Sequence, residues 1–178
     1  MNEDKKIPQV SNNVIAHFGT FDSAGKGPGT YSSGVVKLHA NPKEDLINLA
    51  NSFLKAADRC LNGSKIEEGV EMLTVPGTVC ASLSCELFLK YILLAETGKL
   101  VKIHRLVDLF NKCSKKIQSD LIERNASILT ILERNNVQFV EARYHHEKDI
   151  FSFCQPELLQ TAELLSKFVA ERYTIKNT

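Results

Sequence analysis

Residues 77–97 are apolar around nearly the whole circumference of a helix, through Leu83, Leu87, Phe88, Leu89, Tyr91, Ile92, Leu93 and Leu94. Such a helix has to be surrounded, by lipid or by other helices. Glu86 and Lys90 interrupt the most apolar stretch, Val79 to Ala95, which on that count falls short of a membrane span. The solution left is the middle of a helical bundle. The rest of the chain has to supply the helices around it.

From residue 41 onward it does. Asn41 is an N-cap followed by Pro42 at the first helical position. Leu46, Leu49, Ala50, Phe53, Leu54, Ala57, Cys60 and Leu61 then recur at steps of three and four, and Asn62-Gly63 supplies a C-cap. Ser64 with Glu67 predicts a short boxed helix up to Leu73, broken by Val75-Pro76-Gly77. Gly98 ends the central helix. Residues 102–113 predict a shorter amphipathic helix through Ile103, Leu106, Leu109 and Phe110. Ser114 caps the next, which carries Ile117, Leu121, Ile128 and Leu132 to Asn135-Asn136. A brief segment, Val137 to Tyr144, leads to a last helix from Pro156 through Tyr173. No alternating strand pattern occurs beyond residue 40, and there is no internal repeat. The expected fold is an all-α bundle of about five helices over residues 41–178.

Residues 1–40 differ. They hold five of the nine glycines, and residues 19–34 are almost all Gly, Ser, Thr, Pro and Ala. Such a stretch loses much backbone entropy on ordering and has little apolar surface to offset it. It reads as a flexible arm, with one short strand at Val14-Ile15-Ala16-His17-Phe18. The start, Met1-Asn2-Glu3-Asp4-Lys5-Lys6, leads into no apolar segment of the secretory kind. Five cysteines, an odd number without a framework, predict reduced thiols and a soluble cytoplasmic protein with no membrane association. The chain has 22 basic and 21 acidic side chains, net +1, which excludes a uniformly basic nucleic-acid coat but not a local basic patch.

Five signals bear on chemistry. Gly19 to Gly27 invites comparison with a phosphate loop and fails it twice: five residues separate Gly19 from Gly25, and Gly27 stands where a hydroxyl residue would hold magnesium. No cofactor is expected. Cys80 and Cys85 lie about 140° apart around a helix and cannot share a metal, while the adjacent His145 and His146 diverge on any regular backbone, so no metal is expected either. Glu86 and Lys90 stand at i and i+4, share a face and can pair. That stripe is either a solvated face or the lining of a groove or subunit interface, since charges on a central helix need partners. Lys99, Lys102, Arg105, Lys112, Lys115 and Lys116 face one acid, Asp108, within 18 residues, with His104 among them. A charge run is commonly a solvated face. Against a neutral background this one is the best candidate for nucleic-acid backbone or nucleotide phosphate, with Lys99, Lys102, His104 and Arg105 as its binding residues. Finally, Arg143-Tyr144-His145-His146-Glu147 is the densest polar cluster. It is either a polar cap where a helix leaves the core or a group that binds phosphate and moves protons.

These pieces in this order resemble a HEPN domain, the helical domain named for higher eukaryotes and prokaryotes nucleotide-binding. The resemblance covers residues 44–173. It is carried by Ala81-Ser82-Leu83-Ser84-Cys85-Glu86-Leu87-Phe88-Leu89-Lys90, then Gly98 and His104-Arg105-Leu106-Val107-Asp108-Leu109-Phe110. Phe139, Arg143-Tyr144-His145-His146-Glu147 and the closing amphipathic helix complete it. It implies an up-and-down bundle that commonly pairs into a homodimer. Many such domains are metal-independent ribonucleases of toxin–antitoxin, abortive-infection (phage defence) and CRISPR systems. Others bind nucleotides or partners only, often beside a nucleotidyltransferase. Ribonuclease members carry an arginine, four to six residues, then a histidine. None of Arg59, Arg105, Arg124, Arg134, Arg143 and Arg172 has a histidine at that spacing; only Arg143 matches the family's Arg-Tyr position. The expectation is therefore a nucleotide- or RNA-binding bundle. The alternatives are a divergent ribonuclease using Arg143 with His145 or His146, and an interaction module paired with a nucleotidyltransferase or antitoxin.

Overall fold

The structure, a computed structural model, describes residues 41–137 and 155–173. The N-terminal arm with its Val14–Phe18 strand and Gly19–Gly27 loop, and the cluster Arg143 to Glu147, lie outside the described residues.

Helix α1 runs Pro42–Leu61. Asn41 Oδ1 accepts the Lys43 backbone N–H at 3.2 Å, Pro42 occupies the first turn, and Glu44 and Asp45 sit at the positive end of the helix dipole. Its buried face is Ala50, Ala57 and Leu61. The chain then turns back through an antiparallel hairpin, β1 Ser64–Ile66 and β2 Gly69–Glu71, with Lys65 opposite Val70. This corrects two expectations, the short helix after Ser64 and the absence of strands. A helix here would set Glu67 and Glu68 one turn from Glu71, a like-charge contact that disfavours it. It would also have little to bury, for Val70, Met72 and Leu73 are all exposed.

Helix α2, Thr74–Thr97, starts three residues earlier than its periodicity predicts. Pro76 does not break it, because first-turn N–H groups have no partner within the helix. Gly77 lets α1 come close: a Cβ there would meet Leu61 Cδ2 at 2.5 Å and Cys60 Cβ at 3.1 Å. Ser84 Oγ donates to the Ala50 carbonyl at 3.0 Å, a buried tie between the two helices. Gly98 ends α2 in the left-handed conformation, φ 69°. By length and composition α2 is sufficient to cross a membrane, which corrects the expectation drawn from Glu86 and Lys90. It is nonetheless a core helix, with 67% of its most apolar window buried and α1, α3 and α6 packed around it.

Helix α3, Leu106–Lys112, is shorter than the predicted 102–113, because Arg105 is extended (φ −80°, ψ 123°). Its first N–H groups are satisfied from elsewhere. The Asn136 carbonyl accepts from Leu106 at 3.4 Å and Asn136 Oδ1 from Val107 at 2.9 Å. Ser114 caps α4, Lys115–Arg124, through its Oγ and the Ile117 N–H. The single helix expected up to Asn135 is two, since Asn125 is extended and its Oδ1 accepts the Ser127 N–H, which starts α5 at Ile128–Arg134. Helix α6, Gln155–Arg172, lays Leu158, Ala162, Leu165, Phe168 and Val169 into the core against α1 and α2. The described residues thus form an all-α bundle with one hairpin.

Candidate functional site

An apolar helix at the centre of a bundle has no reason of its own to carry a carboxylate. Glu86 of α2 is buried all the same, its side chain 5% exposed. Two cations or potential cations converge on one of its oxygens. Lys90, one turn further along α2, donates from Nζ to Oε1 at 2.7 Å. His104, from the extended segment between α2 and α3, brings Nδ1 to 3.0 Å from the same Oε1. The Lys90 side chain is 12% exposed, whereas the His104 ring is 64% exposed. The three groups therefore form a line from the core to solvent, and the charge on Glu86 is matched where desolvation is most costly.

The solvated face and the groove or interface stood as alternatives for the Glu86–Lys90 stripe, and the solvated face is excluded for Glu86. The partners a buried charge needs come from within the chain. The link to His104 was missed, because nothing in a spacing of eighteen residues across a helix stop announces a contact.

The basic segment surrounds the outer end of this line in sequence. Lys99, Lys102, Arg105, Lys112, Lys115 and Lys116 are all exposed. Arg105 Nε lies 3.7 Å from Asp108 Oδ2, and Lys115 Nζ donates to Gln118 Oε1 at 3.1 Å. Of the residues expected to bind or catalyse, the structure brings together Glu86, Lys90 and His104 and places Lys99, Lys102 and Arg105 on the surface. Arg143, His145 and His146 lie outside the described residues. Among the described residues no three His, Cys, Asp or Glu side chains gather as metal ligands would.

A second polar cluster was not foreseen. Asp120, Glu123 and Arg124 of α4 and Phe168, Glu171 and Arg172 of α6 line an open groove of about 560 Å³. Arg172 donates to Asp120 at 2.6 Å, and Arg124 lies 2.6 Å from Glu171. Both guanidinium groups sit over the Phe168 ring, at 5.2 and 5.6 Å from its centroid. The hydrogen bond from Arg124 holds the Glu171 carboxyl below its usual range and raises Arg124 in turn. Each arginine here is answered by a carboxylate across the groove. Burial meanwhile pushes the thiols of Cys85 and Cys113 up, the latter to about 12, which leaves them protonated and unreactive.

Compared with known proteins, residues 43–173 match the HEPN domain. No curated protein and no solved structure matches the chain. The match runs from the first turn of α1 to the end of α6 and takes in every side chain of the buried Glu86 cluster, and on that span the chain belongs to the HEPN domain family.

Proposed function

We propose that this chain is a nucleotide- or RNA-binding HEPN protein that binds its ligand through Lys99, Lys102, His104 and Arg105. The observation that carries this reading is the exposure of every cation in the segment 99–116 on a chain of net charge +1. Cations concentrated on one segment of an otherwise neutral protein make a local field that attracts polyanions. In this reading residues 41–178 bind without the arm, and the protein works in the cytoplasm as a homodimer. A defence or toxin–antitoxin setting fits it, with an antitoxin or a nucleotidyltransferase as partner.

The density of Arg143-Tyr144-His145-His146-Glu147 favours a second reading, a metal-independent ribonuclease. There Arg143 stabilises charge on the scissile phosphate, and His145 or His146 exchanges a proton with the 2′-hydroxyl or the leaving oxygen. The missing Arg-to-His spacing places it behind the first. One experiment separates the two: the purified protein is incubated with a mixed RNA pool and with nucleotides, without added metal, and both retention and cleavage are read. Binding without cleavage is expected. Cleavage that falls by a factor of about 10²–10³ in Arg143→Ala would put the ribonuclease first. A protein that retains neither RNA nor nucleotide would leave the interaction module.

A further inference from the structure

We propose that Glu86 is a positioning residue that turns His104 into a reader of the ribose 2′-hydroxyl, so that this surface prefers RNA to DNA. The inference rests on the RNA-binding reading above and narrows its ligand. It starts from a directional argument. Glu86 Oε1 already accepts a hydrogen bond from the Lys90 ammonium, and an ionised carboxylate oxygen has only acceptor sites. In the contact at 3.0 Å the proton therefore belongs to His104 Nδ1. A neutral imidazole carries one N–H, so with Nδ1 protonated the lone pair is on Nε2, at the opposite corner of the ring.

The burial gradient gives that lone pair its use. The carboxylate that holds one end of the ring is dry, while the ring itself is 64% exposed. Nε2 is thus an acceptor on an exposed ring held at its other nitrogen, and its exposed sequence neighbours Lys102 and Arg105 can only donate. Those two cations bind backbone phosphate, which RNA and DNA present alike. An acceptor beside them is met by the sugar of RNA and left unmet by the sugar of DNA, because only the 2′-hydroxyl supplies the donor. Lys90 completes the device from inside. It keeps the buried carboxylate paired, so that the chain can hold a charge in its core for the sake of one exposed ring.

The test uses the full chain at mildly alkaline pH, where a free imidazole is neutral. A short labelled single-stranded RNA is compared with its 2′-deoxy counterpart of identical bases. One added hydrogen bond predicts a preference for RNA of about three- to tenfold. His104→Ala lowers RNA affinity to the level of the 2′-deoxy strand and so removes the preference, whereas Lys102→Ala weakens both ligands equally. Glu86→Leu with Lys90→Met, which removes the buried pair without leaving an orphan charge, also abolishes the preference, and adding His104→Ala to it changes nothing further. Nitrogen NMR of the ring supplies a signature that a purely structural contact would not move: a single Nδ1–H tautomer in the parent protein and a mixture in the double variant. Equal affinity of the parent protein for the two ligands, or a preference that survives His104→Ala, overturns the inference and leaves the binding reading intact. A parent protein that binds neither ligand overturns both. Should the double variant not fold, the parent ratio and His104→Ala still decide the matter.

Discussion

Among the described residues two clusters pair opposite charges, and they are built for different environments. Glu86, Lys90 and His104 reach from the core outward, with the carboxylate 5% exposed. Asp120, Arg124, Glu171 and Arg172 lie along an open groove between α4 and α6, each at least a third exposed or close to it. In water an ion pair gains little, because solvent screens it and two long side chains must be held still. In a core the same pair is expensive to break. Short distances, 2.6 Å in the groove and 2.7 Å in the core, do not distinguish the clusters. Burial does.

The comparison predicts very unequal responses to losing one partner. Glu86→Ala strands the Lys90 ammonium in the bundle and should lower stability by about 3–5 kcal/mol in denaturant unfolding. Replacing both charges, Glu86→Leu with Lys90→Met, should restore most of that loss. An equal loss in single and double variants would mean that the pair contributes directional bonding rather than charge balance.

In the groove the energy resides in the ring beneath the charges. Phe168 is 2% exposed, so Phe168→Ala should cost about 3–5 kcal/mol through the cavity it leaves. Asp120→Asn, by contrast, should cost less than about 1 kcal/mol. A larger effect of Asp120→Asn would show that the two arginines hold α4 to α6 through their carboxylate partners and not through the ring.

How much of this was legible follows the distance over which each feature is decided. Asn41-Pro42, Ser114 and Gly98 act on backbone within one turn, and each start or stop was readable from them. The Glu86–Lys90 pair lies within one helix and was equally plain. The hairpin was misread because Ser64 and Glu67 mimic a helix start, while the repulsion of Glu67, Glu68 and Glu71 and the exposure of Val70 and Met72 decide against it. The break between α4 and α5 comes from one Asn125 side chain accepting the backbone N–H of Ser127, inside a periodicity that continues through it. His104 meeting Glu86, and Arg172 meeting Asp120 across 52 residues, depend on how helices pack, which local pattern does not encode.

Alkaline pH gives a graded effect that separates the core from the groove again. The Cys113 thiol ionises near its ordinary value of 9.0 when unfolded and at about 12 when folded, through burial first and the nearby Glu96 second. Cys85, fully buried, is raised in the same direction. Above 9.0 the unfolded chain holds fewer protons than the folded one, so stability is complete below that pH and declines as pH climbs from 9.0 toward 12. Cys113→Ala should flatten part of that decline, as read by unfolding at a series of pH values. A decline unchanged by the substitution would assign it to Cys85, Tyr91 and Tyr173, which burial also raises.

The central claim is that the exposed cations beside His104 meet a nucleic-acid backbone, and the salt dependence of RNA binding tests it most directly. For single strands the slope of log affinity against log salt changes by about 0.7 for each phosphate contact. The triple variant Lys99→Ala, Lys102→Ala, Arg105→Ala should therefore bind more weakly at low salt, with a slope shallower than that of the parent protein by about 2. Parallel lines for the two proteins would contradict the account and place the RNA elsewhere on the molecule.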